Sequence, residues 1–271
     1  MNFYDQGFQQ IKVQKRSDQL WVSLNNPEAS NAITYEMTES LIKVLKYADF
    51  DPDVRVIVLS GEGKNFCAGG DVKAMENRTG MFAGEPNELR MRYMHGIQQI
   101  PKCIEDLSTP MIAMIQGAAV GAGCDLAMMC DLRIGCLTSK FGESFVRIGL
   151  VPGDGGSFFL QRVIGFSKAM QMSLTAEFVT GEEAQSWGLL NYLVSESELL
   201  LETEKLAAKI SANAPAAVQM TKKAMKLAYM NDLSTVLDIS AAFQAIAQRT
   251  EDHFEALSAA KAKKIAQFQG R

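Results

Sequence analysis

Residues 111–136 read MIAMIQGAAVGAGCDLAMMCDLRIGC, and this stretch decides the fold. Its first five residues are apolar and end at Gln116. A short apolar run between turn signals reads as a strand buried on both faces. Gly117, Gly121 and Gly123 then make a small-residue loop. Residues 125–130 read as a short helix, and LRIGC at 132–136 as a further strand. Strand, glycine turn, helix and strand form the unit of a parallel sheet, because parallel neighbours need a crossover. The run 111–129 also raises the question of a membrane helix. Gln116, Asp125 and the three glycines within it argue for a buried strand, a turn and a helix instead, so no membrane partner is expected.

The pattern extends in both directions. Upstream, VRVIVL at 54–59 is a second buried strand, followed by the loop GEGKNFCAGGD at 61–71. A helix is expected over 34–48, with Met37, Leu41, Val44, Leu45 and Ala48 on one face, ended by Asp51-Pro52-Asp53. Residues 11–24 alternate like a strand and meet a turn at Asn25-Asn26-Pro27. Residues 75–101 are polar and Met-rich, with a helical middle. Downstream, LVPGDGG at 150–156 is a turn before a helix from 157. Beyond residue 199 strand signals stop, and three helical stretches rich in Ala, Lys, Met and Gln fill the rest. The fold class is therefore α/β. Residues 1–198 form the core and 199–271 a helical region packing on it or on another subunit.

Composition narrows the chemistry. A net charge of -4 gives no general attraction to nucleic acid or anionic membrane. His95 and His253 are the only imidazoles, and neither belongs to an HExxH-type pair, so no metal site is expected. Carboxylates, backbone amides or a bound cofactor are left to do any chemistry. The five cysteines, an odd number without a CxxC pair, read as reduced and buried. The N-terminal MNFYDQGFQQ is neither a signal nor a transit peptide, and a cytoplasmic location is expected.

Two buried strands thus each run into a small-residue loop: Cys67-Ala68-Gly69-Gly70-Asp71, and residues 117–125 opening a helix. Small residues let a ligand approach the backbone, and amides at a helix start point outward unsatisfied. Side by side, the two loops would aim two N–H groups at one oxygen, the geometry of an oxyanion hole. Each loop alone reads more readily as a packing turn than as a site. Neither is GxGxxG or GxxxxGK[ST], so dinucleotide and phosphate-loop sites are not supported.

Four ordered segments carry a resemblance: NFCAGGDVKAM (65–75), QGAAVGAGCDLAMMCDLRIG (116–135), FGESFVRIGLVPGDGG (141–156) and RVIGFSKAMQMSLTAEFVTGEEAQSWGLLNYLV (162–194). They resemble the crotonase superfamily, also called the enoyl-CoA hydratase/isomerase family. The resemblance implies a spiral of ββα units with a C-terminal helical trimerisation region, assembled as a homotrimer or a dimer of trimers. It implies an acyl-CoA thioester substrate with no separate cofactor, since coenzyme A enters as part of the substrate. It also implies an enolate held by the N–H groups of Gly70 and Ala122. By the same resemblance Ala68, Gly70, Asp71, Val72 and Lys73 line the CoA moiety. Lys73 either faces a phosphate or the adenine, or is simply solvated. Phe268, with Lys261, Lys263 and Lys264, resembles the region that reaches a neighbouring subunit's CoA. Ser30 stands where many members carry a basic residue, which removes one usual phosphate contact.

The catalytic pattern departs from the family. Hydratases of this kind use two glutamates that straddle the substrate. The first aligns with Asp125, a shorter carboxylate, and the second with Phe145, which accepts no proton. On an extended segment Glu143 would share the face of Phe145 and reach the pocket from a shifted position. Asp154 lies one residue after Gly153, where some isomerases and a dehalogenase of the family carry an aspartate. Asp125, Glu143 and Asp154 are thus the candidate carboxylates. Their alternative roles are a helix cap for Asp125, a supporting or surface group for Glu143, and a turn residue for Asp154. His95 reads as a helix-surface residue. Two functions follow from this inventory: an enzyme that hydrates or isomerises an enoyl-CoA, or an acyl-CoA-binding homologue that has lost the chemistry.

Overall fold

The computed structural model describes residues 3–270. Residues 11–24 are two strands, not one. β1 (Ile11–Arg16) pairs antiparallel with β2 (Gln19–Leu24), with Gln14 opposite Trp21. The turn is only Ser17-Asp18, with Ser17 at φ 55, and carries no glycine or proline to mark it. α1 (Tyr35–Phe50) starts where Thr34 accepts a hydrogen bond from the Met37 amide at 3.2 Å. Its face of Met37, Leu41, Val44, Leu45 and Ala48 is buried as the spacing requires. β3 (Val56–Gly61) follows, with all six residues buried.

Three helices cross back to the sheet, α2 (Val72–Glu76), α3 (Pro86–His95) and α4 (Gln99–Asp106), so the helical reading of 75–101 holds. The deciding stretch then gives β4 (Met111–Ile115), β5 (Ala118–Val120), α5 (Ala122–Met129) and β6 (Leu132–Cys136). The glycine loop therefore contains a short strand, and the helix begins at Ala122 rather than Asp125. After β7 (Lys140–Gly142) come α6 (Gly156–Ile164), α7 (Phe166–Thr175), β8 (Phe178–Thr180), α8 (Gly181–Ser186) and β9 (Tyr192–Val194). The main sheet has the order β1-β2-β3-β4-β6-β9, and every pair after the first hairpin is parallel. β5, β7 and β8 form a second, three-stranded sheet.

Side-chain alternation divides the core. Ile57 and Leu59 of β3 join the large cluster with Leu41 of α1, Ile104 of α4 and Leu126 of α5. Val56 and Val58 point the other way, against Leu206 and Ala207 of α9 (Leu199–Ser211). Both faces are covered, which is why the strand is apolar throughout. α10 (Pro215–Ala228), α11 (Leu233–Ala247) and α12 (Glu251–Ala262) complete four C-terminal helices where three were expected. Pro215 restarts the chain at α10, and the Asp232 and Thr250 side chains cap the next two helices, so local capping divides what composition alone runs together. No helix among the described residues is long and apolar enough to cross a membrane.

Candidate active site

Two loops leave the sheet at the C-terminal ends of β3 and β4, and backbone bonds join them. The Cys67 amide donates to the Ala118 carbonyl at 3.0 Å, and the Val120 amide donates to the Cys67 carbonyl at 2.9 Å. Gly69 lies at φ +98, and a Cβ there would stand 2.7 Å from the Val120 carbonyl oxygen. A side chain at Gly69 would push the loops apart. Two asparagines that the sequence did not mark hold the first loop. Asn31 is fully buried, and its Nδ2 donates to the carbonyls of Glu62, Asn65 and Phe66. Asn65 Oδ1 accepts from the Ala118 amide at 3.0 Å and so reaches the second loop. A single asparagine in a loop carries no periodic signal, so these roles are visible only in the fold.

The joined loops form one side of a narrow cavity of about 80 Å³. Gly70 and Ala122 both lie on its wall. Neither amide N–H donates to a protein group among the described residues. For Ala122 the reason is its place as the first residue of α5, where helix amides have no carbonyl behind them. Phe145 lines the cavity as well, its ring 3.6 Å from where a Cβ of Gly121 would be. Met81, Phe82 and Ile97, from the polar, Met-rich segment 75–101, close the apolar end. A wider groove of about 770 Å³ shares Val72, Met75, Phe82 and Tyr93 with this cavity and extends to Arg78 and Leu89.

Three carboxyls meet behind and beside this cavity. Asp125 is 0 %, Glu143 1 % and Asp154 4 % exposed. Asp125 projects from α5, Glu143 from the segment after β7, and Asp154 from the turn before α6. The Asp125 carboxyl lies within hydrogen-bonding reach of both others. Gly156 makes room for it, since a Cβ at that position would overlap the Asp125 carboxyl. No amide, hydroxyl or cation among the described residues satisfies the oxygens of Asp125 or Glu143. Two carboxylates repel, so each link within the cluster requires a proton on one carboxyl.

Burial first, and the neighbouring Glu143 and Asp154 charges next, push Asp125 well above the usual carboxylate range. Burial lifts Glu143 to about 7, opposed by hydrogen bonding from Asp125. Burial also raises Asp154, against the hydrogen bond it receives from Asp125. Asp125 is therefore the carboxyl that keeps its proton, and it donates that proton to one neighbour at a time.

The structure assigns the candidates different positions. Asp154 lines the cavity, whereas Asp125 and Glu143 do not. Asp125 receives no amide on its carboxyl and caps nothing; Gly121 occupies the cap position of α5. The extended path expected for 143–145 is corrected. Ser144 adopts φ -85 and ψ 8, and Phe145 opens a short 3-10 turn over Phe145–Ile148. Glu143 consequently turns inward to Asp125 while Phe145 faces the cavity. Gly153 packs against Tyr93, and Asp154 is the residue of that turn on the cavity wall.

Ala68 and Val72 line the cavity, and the Asp71 carboxylate accepts from the Ala74 amide at 3.0 Å to cap α2. Lys73 is exposed on α2, and His95 is exposed at the end of α3. Phe268 lies outside the cavity within its own chain. Its carbonyl accepts from Arg55 at 2.6 Å, on a groove formed with Lys15 and Ser211. Tyr93, which the sequence did not single out, contributes a phenol to the cavity wall near Asp154.

With this geometry in place, comparison with known proteins identifies the lineage. The enoyl-CoA hydratase/isomerase family model matches residues 16–271. A crotonyl-CoA hydratase from Syntrophomonas wolfei is 32% identical over 262 residues, covering 96% of this chain and 98% of that protein. A 1,2-epoxyphenylacetyl-CoA isomerase from Escherichia coli is 32% identical, over 92% of this chain and 94% of that protein. The crystal structure of an enoyl-CoA hydratase from Bacillus anthracis superposes with a TM-score of 0.91 at 29% identity, covering 97% of this chain and 100% of that one. The glycine loops and the parallel sheet that carries them are therefore those of a crotonase fold, and the chain belongs to the enoyl-CoA hydratase/isomerase family of enzymes.

Proposed function

We infer that the protein acts on an acyl-CoA thioester and shifts an enoyl double bond by proton transfer. The observation that carries this reading is the cavity wall itself, where two unbonded amides, Gly70 and Ala122, share one small space with a single carboxyl, Asp154. The amides receive the thioester oxygen as it gains negative charge, which is where preorganised donors contribute most. Asp154 removes a proton from the carbon beside the carbonyl while the C–H electron pair enters the dienolate. The same carboxyl returns that proton to the γ-carbon as the double bond moves into conjugation. The CoA portion runs past Ala68, Val72 and Lys73, and no separate cofactor is required.

Hydration needs a water held between two polar groups, and the residue at the second position is Phe145. The single cavity-facing carboxyl therefore favours isomerisation over hydration. The exposed apolar face of α10 and α11 supports assembly as a trimer or a dimer of trimers.

The test supplies 3-enoyl-CoA and 2-enoyl-CoA to the purified protein in deuterated water. Conversion of 3-enoyl to 2-enoyl substrate with deuterium entering the α- or γ-carbon is expected, with slower formation of 3-hydroxyacyl-CoA. Tight thioester binding without any exchange would identify a binding protein and overturn the reading. Hydration outpacing isomerisation would overturn the assignment of one working carboxyl.

A further inference from the structure

We propose that Asp125 and Glu143 are not proton carriers in the reaction but a buried carboxyl pair that positions Asp154 from behind. This deepens the proposed isomerase reading and rests on it. In the family pattern Asp125 stands at a glutamate position expected to touch substrate. Here its side chain is one methylene shorter, fully buried and absent from the cavity wall. Asp154 is the outer member of the cluster. It lines the cavity and is 4 % exposed. A carboxyl on the cavity wall is available to the reacting carbon, and those of Asp125 and Glu143 are not on that wall.

The groups facing the cluster come from every neighbouring element. Asp154 feels Asp125 from α5, the Cys67 thiol of the first loop and the Tyr93 phenol of α3. Glu143 feels Asp125 and the Cys124 thiol of α5. None of these groups is cationic near neutral pH. The cluster therefore keeps its charge low by retaining protons, and the retained proton on Asp125 reaches Asp154 as a hydrogen bond. That bond fixes the rotamer of Asp154. Over one turnover Asp154 gains and returns the substrate proton, while Asp125 and Glu143 end as they began.

Substitutions that preserve shape separate these roles. In Asp125→Asn the amide still donates to Asp154 but cannot carry a proton, so isotope exchange should stay within about tenfold of the wild type. Asp125→Ala should lose roughly 100-fold, and Asp154→Asn about 1,000-fold or more, the range of a positioned acid–base group. Glu143→Gln should remove the upper ionisation from the pH profile of kcat while KM changes less than twofold. Melting temperatures establish that each variant folds. The inference is overturned if Asp125→Asn falls as far as Asp154→Asn, or if Glu143→Gln lowers all rates uniformly without altering the profile. Absence of exchange by the wild type would instead sink the isomerase reading, so the two failures are distinguishable.

Discussion

Glu143 shows how one residue's meaning depends on its neighbours. By spacing it belongs on the face of Phe145; in the fold the turn at Ser144 sends the two apart. Its carboxyl is buried without a cation, and burial raises it from about 4.5 to about 7. Between those values the folded chain holds a proton that the unfolded chain has released. The stability associated with this group is therefore complete below about pH 4.5 and is lost as pH rises through about 7. Glutamine at this position does not titrate. Relative to the wild type, Glu143→Gln should gain on the order of 3 kcal/mol of stability between pH 4.5 and 8, a figure that follows from the size of the shift. Urea denaturation at pH 5 and pH 8 checks this, and an equal difference at both pH values contradicts it. The residue scale was only half legible. Asp125, Glu143 and Asp154 stood out against the carboxylate positions of the family the sequence resembles, but which one meets the cavity depends on side-chain direction, which spacing does not encode.

At the scale of elements, the N-terminus of α5 unites structure and proposed chemistry. Gly121 at φ 53 turns the chain so that Ala122 begins the helix with its amide on the cavity wall. The first position of a helix tolerates proline, because its N–H has no helical partner. Ala122→Pro thus removes one donor while leaving α5 intact. The expected outcome is a loss of about 100- to 1,000-fold in kcat with little change in melting temperature. Retained activity would show that the Ala122 amide is not an oxyanion donor.

The loop junction makes a second, independent case. Asn31 satisfies three carbonyls with one amide group. Asn31→Ala strands these acceptors, of which the Phe66 carbonyl is buried, and should cost about 1–3 kcal/mol. Thermal denaturation reads this loss, and a change below about 0.5 kcal/mol would assign the loop's integrity to its backbone bridges alone. Long elements were legible because α1, β3 and β4 carry strong periodic or continuous apolar signals. The three-residue strands β5, β7, β8 and β9 were not, since so few residues carry no period and exist only because a partner strand lies alongside.

The whole molecule presents an unpartnered apolar face. Met225 is 68 %, Tyr229 68 % and Leu233 73 % exposed, and Leu237, Ile246 and Leu257 are exposed with them. These residues lie on α10, α11 and α12 or, for Tyr229, directly after α10, whereas α9 is the C-terminal helix that packs on the sheet. Apolar surface of this extent is characteristic of association. On the proposed trimeric reading, light scattering should give the mass of three or six chains, and Leu233→Glu with Leu237→Glu should release smaller species. A monomer at micromolar concentration would contradict it. Phe268 belongs to the same question, because its own chain places it away from the cavity.

The sequence by itself determined the α/β class, the parallel pairing of the buried strands, the two glycine loops and the family. Each rests on local signals: continuous apolar runs, glycine at tight approaches, and motifs in a fixed order. Tertiary structure alone decided that the loops bridge at Cys67 and Ala119, that Asn31 ties them, and that Asp154 rather than Asp125 or Glu143 meets the cavity. The physical reason is that side-chain direction and proton sharing depend on residues distant in the chain. Three carboxyls from separate elements change one another's charge only once folding has buried them together.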